Sequence, residues 1–312
     1  MSLKIIGIGS FLPVKSISNH ELSRIFATSD EWIVSRTGIK QRYFSDIEVD
    51  EMGALAAGDA LKNASMNKST IDYIIVCSCT NNQAFPSIAN KIQKRLNIES
   101  IPSIDINAAC SGFIYALEIA SGLISAGKKT ILIVAAEKMS SLLTMQDRSV
   151  DVLFGDGASA VLVQKTSSQD RIFEIITGVD PEYCGILKTL ETIERQRSIS
   201  MDGGKVYKYA VQKMTELSLR IMNKANLSYQ DIDYFIPHQA NLRIIESVAE
   251  KLNLEKEKVV TTVESHANTS SASIPLAMYD LFSQKKLANK KILTVAVGAG
   301  MSFGAAIFDI SV

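Results

Sequence analysis

The sequence predicts an α/β protein made of two related halves, on three observations. Short β-branched runs alternate with longer helical patterns. Segments of the first half recur in the same order in the second. The length, 312 residues, is about twice the ~150 residues of one domain. Residues 4–13 form an apolar run closed by glycine and proline, which reads as a first strand and turn. Residues 72–79, 103–107 and 130–136 read as buried strands, and 112–126 and 206–226 as helices. The repeat shows as Ile71-Asp72-Tyr73-Ile74-Ile75 against Ile232-Asp233-Tyr234-Phe235-Ile236, offset by 161. Lys128-Lys129 and the apolar run after it return as Lys290-Lys291 and theirs, offset by 162. The Gly155-Asp156-Gly157-Ala158 stretch has its echo in residues 298–308. Three matches in the same order argue for a duplicated unit. A polar stretch at 165–171 marks the join, giving halves 1–168 and 169–312 in one compact body.

Composition narrows the classes. Hydrophobic residues are 46% and charged residues 21% of the chain, which excludes a disordered protein. Lys plus Arg balances Asp plus Glu at 33 each, which argues against a general nucleic-acid binder. No apolar run approaches the ~18–20 residues of a membrane span, and the first strand lacks the cleavage site of a signal peptide. The four cysteines, Cys77, Cys79, Cys110 and Cys184, are too scattered for a disulfide scaffold. They fit a reducing cytoplasm. Cys77-Ser78-Cys79 has no second ligand pair for a metal, and strand packing is the better reading.

Cys110 stands where an apolar strand runs into an apolar-periodic helix. A sulfur at a helix N-terminus faces unpaired N–H groups and the positive end of the dipole, which favour the thiolate. That predicts a lowered thiol pKa and a nucleophile. Ala108, Ala109, Ser111 and Gly112 leave room for a carbonyl to approach. The alternative is a small buried hydrophobe. In the second half, a strand ends in Pro237-His238-Gln239-Ala240-Asn241. Glu264-Ser265-His266-Ala267-Asn268-Thr269-Ser270 then leads into another helix, so His238 and Asn268 stand at strand ends in the half that mirrors the cysteine half. Asn268 also suits a helix cap. His266 reads as support, and His20 as structural or solvated.

These motifs resemble those of the β-ketoacyl-acyl-carrier-protein synthase III family of the thiolase superfamily, in seven segments taken in order. They are Thr28-Ser29-Asp30-Glu31-Trp32-Ile33, Arg36-Thr37-Gly38-Ile39, Ala109-Cys110-Ser111-Gly112-Phe113, Phe154-Gly155-Asp156-Gly157-Ala158, Pro237-His238-Gln239-Ala240-Asn241, Asn268-Thr269-Ser270, and the glycine-rich segment 298–304. The resemblance covers essentially the whole chain. It implies a thiolase-like five-layered α-β-α-β-α fold from two pseudo-symmetric halves. It implies ping-pong transfer of an acetyl or other short acyl group from CoA to Cys110. Decarboxylative condensation with malonyl-acyl-carrier-protein follows, with His238 and Asn268 facing the malonyl thioester. Backbone amides of Cys110 and Ala299 would form the oxyanion hole. The chemistry calls for no metal or redox cofactor, because the departing carboxylate supplies the carbanion.

The same resemblance places Trp32 and Arg148 on the CoA adenine, with Thr28 and Arg36 at that entrance and Gly203 and Asn241 along the pantetheine tunnel. Lys208, Arg243 and Lys251 correspond to a docking patch for the acidic carrier protein, although Glu250 stands where a second lysine occurs in relatives. Phe85 resembles the residue that crosses a homodimer interface to close the acyl pocket. Ala299 and Phe303 replace a glycine and a tryptophan of many relatives. Four rivals stand beside this reading: a condensing enzyme of secondary metabolism with a different primer, a biosynthetic thiolase, a hydroxymethylglutaryl-type synthase, whose general-acid Glu nothing in the sequence compels, and a non-catalytic acyl-CoA-binding protein. The thiolase needs a second cysteine late in the chain, and no cysteine follows Cys184.

Overall fold

A computed structural model describes residues 2–166, 173–191 and 197–312. The first half builds β1 (Ser2–Phe11), β2 (Ser16–Ser18), β3 (Gln41–Tyr43), β4 (Tyr73–Cys77), β5 (Ser103–Ile106), β6 (Thr130–Glu137) and β7 (Gly157–Thr166). Its helices are α1 (Asn19–Leu22), α2 (Asp30–Thr37), α3 (Val49–Asn63), α4 (Ile88–Arg95), α5 (Gly112–Ser125) and α6 (Arg148–Asp151). The second half builds β8 (Phe173–Val179), β9 (Leu187–Glu191), β10 (Arg197–Met201), β11 (Tyr234–Phe235), β12 (Lys291–Val297) and β13 (Ser302–Asp309). Its helices are α7 (Gly203–Lys224), α8 (Leu242–Lys251), α9 (Val263–His266) and α10 (Ser273–Ser283).

The five-stranded sheet runs β1-β7-β6-β4-β5 and the four-stranded sheet β8-β13-β12-β11. The two orders correspond strand for strand. In each, the first two pairs in that order are antiparallel and the third, β6–β4 or β12–β11, is parallel, as is β4–β5. An isolated parallel bridge, Phe235 to Val259, stands where β5 stands in the first sheet. Helices α5 and α10 fill the space between the sheets, in one apolar cluster that holds Phe113, Leu117, Ile274, Met278 and Phe308. Helices α3 and α4 cover the outer face of the first sheet, and α7 and α8 that of the second. The stack is therefore α-β-α-β-α.

The repeated Ile-Asp-Tyr segments have a physical cause. The Asp72 carboxylate accepts from the Lys129 and Thr130 amides at 2.8 and 2.9 Å, and Asp233 accepts from the Lys291 amide at 2.9 Å. One aspartate in each half thus sets the register between two central strands. Helix boundaries follow caps. Helix α7 starts at Gly203, earlier than its apolar pattern predicts, because Asp202 Oδ1 accepts from the Lys205 amide at 3.1 Å. The predicted strand over 72–79 ends at Cys77, where the chain leaves the sheet. The predicted division at 168/169 lies outside the described residues. Among the described residues no helix is long and apolar enough to cross a membrane.

A lobe of α1, α2, β2 and β3 sits at the seam. Its centre is the fully buried Arg42, which donates to Ile17 O (3.2 Å), Asn19 Oδ1 (2.8 Å) and Val152 O (2.9 Å). Asn19 in turn donates to Asp30 Oδ1 and Ile39 O, both at 2.8 Å. These bonds hold the start of α2, and hence Trp32, against the body.

Helix α3 lies against β1 so closely that a Cβ on Gly9 would come within 2.1 Å of the Ala60 nitrogen and 2.4 Å of the Ala56 oxygen. Gly9→Ala should therefore cost about 3 kcal/mol or more of stability, the upper end for overpacking. Urea denaturation reads this as a lower midpoint, and an unchanged midpoint would contradict the packing.

Candidate active site

Cys110 lies in a 3-10 turn, Ala109–Ser111, that leads from β5 into α5. Asn107 Oδ1 accepts from the Ala109 amide at 3.2 Å, and Ala109 takes φ +46°. Two glycines let other backbone segments reach this turn. A Cβ on Gly112 would lie 3.2 Å from Cys77 Cβ. A Cβ on Gly298 would lie 2.9 Å from both the Cys110 nitrogen and the Ala108 oxygen. The glycine-rich segment can thus pass directly over the cysteine amide. Ser302 Oγ locks it there, 2.8 Å from Ser111 Oγ and donating to Ala108 O at 2.9 Å. Left-handed backbone in this segment falls on Gly300 (φ +69°) and Met301 (φ +55°). Ala299 is outside that region, which is why a residue with a Cβ is tolerated there.

His238 follows β11 and is 3% exposed. Its amide donates to Val295 O at 2.9 Å, which continues the sheet pairing past the strand end. Its Nδ1 lies 2.6 Å from Ser273 Oγ, which also accepts from the Gln239 amide at 3.3 Å. The tautomer with Nδ1 unprotonated accepts the Ser273 hydroxyl proton. The ring proton is then on Nε2. Burial lowers the His238 pKa to about 3, so the imidazole is neutral. Asn268 is bridged to Phe154 through backbone, and its Oδ1 accepts from the Ser270 amide at 2.9 Å. It both caps the turn that opens α10 and lines the cavity.

The thiol departs from expectation. Helix-terminal placement predicts a lowered pKa, whereas burial pushes Cys110 up to about 12. Hydrogen bonding with Ser270 and within its own turn acts the other way but is outweighed by desolvation. Cys79 also departs. It lies beyond the sheet, and its thiol faces the buried Glu137 carboxylate at 3.5 Å.

Two cavities meet at Cys110. The first, about 590 Å³, is lined by Cys110, His238 and Asn268 at one end and by Trp32, Arg36, Gly203, Lys208, Asn241 and Arg243 toward the surface. Ser29 Oγ caps α2 by accepting from the Trp32 amide. The Arg148 guanidinium stands 4.8 Å over the Trp32 ring and donates to Ala27 O. Thr28 Oγ1 beside them is buried without a partner. Asn241 caps α8 and donates to Arg36 O at 3.0 Å, tying the entrance lobe to the second half. The Arg243 guanidinium lies 5.4 Å over Tyr207. Lys251 is at the other end of the ten-residue α8, away from this opening.

The second cavity, about 530 Å³, opens on the other side of Cys110 among Cys79, Tyr115, Met139, Leu142, Phe154, Ile199 and Ala299. Phe85 is 85% exposed and lines neither of these two cavities. His266 is buried with its Nε2 3.6 Å from Asp280, on the flank of the site. Ser273, Ser270 and Glu137 were not singled out by sequence reasoning. The one signal for the serines is the hydroxyl-rich run after Asn268.

Models of the 3-oxoacyl-[acyl-carrier-protein (ACP)] synthase III family match residues 104–181, and of its C-terminal part residues 222–310. The chain is 44% identical to the beta-ketoacyl-[acyl-carrier-protein] synthase III of Rickettsia bellii, covering 98% of this chain and 99% of that protein. Among solved structures it is similar to 3-oxoacyl-[acyl-carrier-protein] synthase III from Aquifex aeolicus, with TM-score 0.94, 38% identity, and 99% and 100% of the two chains covered. The priming beta-ketosynthase of the R1128 polyketide biosynthetic pathway is also similar, with TM-score 0.95, 30% identity, and 99% and 96% covered. Full-length identity of this order, together with a nucleophile, a neutral imidazole and a carboxamide gathered at one tunnel end, means that the chain belongs to the 3-oxoacyl-[acyl-carrier-protein] synthase III family.

Proposed function

We propose that this chain is an initiating condensing enzyme of fatty-acid synthesis, working through Cys110, His238 and Asn268. One observation carries the reading. A single tunnel joins the Cys110 sulfur, through His238 and Asn268, to the Trp32–Arg148 pair at the surface. The stacked pair suits an adenine, and the tunnel suits the long pantetheine arm of CoA and of the carrier protein.

In the first stage Cys110 attacks the thioester of acetyl-CoA or another short acyl-CoA, and CoA leaves. The Cys110 and Ala299 amides stabilise the tetrahedral oxyanion, each such donor being worth ~3 kcal/mol. The acyl chain extends into the second cavity. In the second stage malonyl-acyl-carrier-protein enters the same tunnel and loses CO2. Enolate charge grows on the thioester oxygen, where His238 Nε2–H and the Asn268 amide donate. A neutral imidazole is the right donor here, because an imidazolium would protonate the carbanion before it attacked the acyl-cysteine. Lys208 and Arg243 at the tunnel opening attract the acidic carrier protein. In this reading β5, at the edge of the five-stranded sheet, pairs with the same strand of a second copy. The exposed Phe85 then reaches the partner's acyl pocket. Four unpaired cysteines support a reducing cytoplasm.

Cys110→Ala should abolish the acetyl adduct seen by mass spectrometry after incubation with acetyl-CoA, and an equally labelled variant would remove Cys110 from the mechanism. His238→Ala or Asn268→Ala should keep the adduct and slow malonyl decarboxylation by roughly a hundredfold. Loss of the adduct with decarboxylation intact would reverse the assignment.

The pH dependence follows from burial. A His238 pKa held near 3 keeps the ring neutral as pH falls through the ordinary imidazole value of 6.5. The decarboxylation rate of acylated enzyme should therefore show no titration at 6.5, and a decline centred there would oppose the assignment. The same depression makes His238 a source of acid instability. Its contribution is present above 6.5 and is lost as pH falls toward 3.

Arg243→Glu should raise the KM for the carrier protein several-fold more than that for acetyl-CoA. An equal rise in both would exclude a docking role.

A further inference from the structure

A neutral, buried thiol raises the question of where its proton goes. His238 is a poor acceptor: its Nδ1 faces Ser273, and burial keeps its basicity low. A different route is built into the seam. The Cys110 thiol donates to Ser270 Oγ at 3.6 Å. Ser270 Oγ lies 3.5 Å from Cys79 Sγ, and the Cys79 thiol donates to both oxygens of Glu137 at 3.5 Å. Either atom of the Ser270–Cys79 pair can donate, and with Ser270 donating the bonds run head to tail from the nucleophile to a fully buried carboxylate at the end of β6.

Glu137 is also firmly held. It accepts from Ser271 Oγ (2.6 Å), the Cys79 amide (3.0 Å), Thr80 Oγ1 (3.0 Å) and Ser78 Oγ (3.2 Å). The titratable groups that feel its charge are the thiols Cys77, Cys79 and Cys110. Its neighbour Lys138 turns away to Glu48 at 2.9 Å. Burial raises the Glu137 pKa, which makes the carboxylate readier to take a proton than an exposed one.

We propose that the proton lost by Cys110 on acylation passes through Ser270 and Cys79 to Glu137, is held there in the acyl-enzyme, and returns when condensation releases the thiolate. This rests on the reading of Cys110 as the nucleophile. In the forward step the Cys110 proton moves to Ser270 Oγ, the Ser270 proton to Cys79 Sγ, and the Cys79 proton to Glu137. Sulfur then forms its bond to the acyl carbon, and the carbon–sulfur bond to CoA breaks with the electron pair leaving on CoA, which takes a proton from water. Acylation caps the sulfur and interrupts the relay, so the proton stays on Glu137. In the second stage the malonyl carbon–carboxylate bond breaks and its electron pair forms the new carbon–carbon bond. The bond from the acyl carbon to Cys110 then breaks with its pair on sulfur, and the stored proton retraces its path. One proton is taken from solvent per turnover, as an overall reaction that consumes a carboxylate and releases CO2 and a thiol requires.

The experiment combines three readouts on the intact enzyme. Iodoacetamide alkylation of Cys110, followed by peptide mapping across pH, should slow by roughly tenfold or more near neutrality in Ser270→Ala and in Cys79→Ala, with the profile displaced to higher pH. Cys79→Ser keeps a group that can accept and donate, and should restore the wild-type profile. The infrared difference spectrum on acylation should show a carboxylate lost and a protonated carboxylic acid gained, and this signal should vanish in Ser270→Ala. Glu137→Gln should also lack it. Because that variant sets an amide against several donors and risks misfolding, the two neighbours carry the test. Wild-type alkylation profiles in both alanine variants, or no new protonated acid on acylation of the wild type, overturn the relay. An adduct that persists in Cys110→Ala sinks the nucleophile reading instead, so the two failures are distinguishable.

Discussion

Burial of the reactive groups in the seam between the two halves is the constraint on which the rest of the site depends. It holds the thiol protonated, with a pKa near 12, and the imidazole neutral, near 3, and it pushes the Glu137 carboxyl up as well. Each shift disfavours the charged form, the common signature of desolvation. A buried site cannot rely on solvent to stabilise an oxyanion, an enolate or a thiolate. Fixed dipoles must do so, and in a low-dielectric setting each is worth more than in water. The close packing serves this end. Gly298 has no side chain because the Cys110 amide occupies the place of one. Substrate arms reach the sulfur through a tunnel rather than across an open cleft.

How far the sequence could be read depends on whether a feature is local. The duplicated halves were legible because the aspartate that joins neighbouring strands is needed in each sheet, so Asp72 and Asp233 recur with their apolar neighbours. Cys110, His238 and Asn268 were legible because each stands at the end of a strand or the start of a helix, among small residues that a reactive group needs around it. The direction of the Cys110 shift was not. A helix terminus is a local feature that lowers a thiol pKa, but the larger effect is burial under Gly298 and the Ser270 turn, which arrive from far along the chain. Ser273, Ser270 and Glu137 were hidden for the same reason, since their roles rest on contacts between residues 35 to 191 positions apart. Arg42 reads as an ordinary basic residue in a short strand, yet it is the buried hub that holds the Trp32 helix in place.

The repeat extends into the chemistry. At the same separation of 161 residues, Asn107 corresponds to Asn268, Ala109 to Ser270, Cys110 to Ser271, Gly112 to Ser273 and Cys77 to His238. The local structures agree. Asn107 and Asn268 each accept, through Oδ1, from the amide two residues on. Ala109 and Ser270 take φ +46° and +50°, each at the head of a 3-10 turn that opens a central helix. Cys77 donates to the Gly112 carbonyl at 3.3 Å, while its counterpart His238 rests on the Ser273 hydroxyl at 2.6 Å. One scaffold turn has thus been used twice and filled differently. In the first half it carries the nucleophile, and its asparagine caps the turn and lines the second cavity. In the second half the asparagine faces the tunnel, and the turn supplies hydroxyls, Ser270 to the Cys110 sulfur and Ser271 to Glu137. Because α5 and α10 pack against each other between the sheets, the two turns meet head to head. The pseudo-symmetry therefore does more than build the fold: it brings a thiol and its hydrogen-bond partners together from opposite halves of the chain, which no single unit does alone.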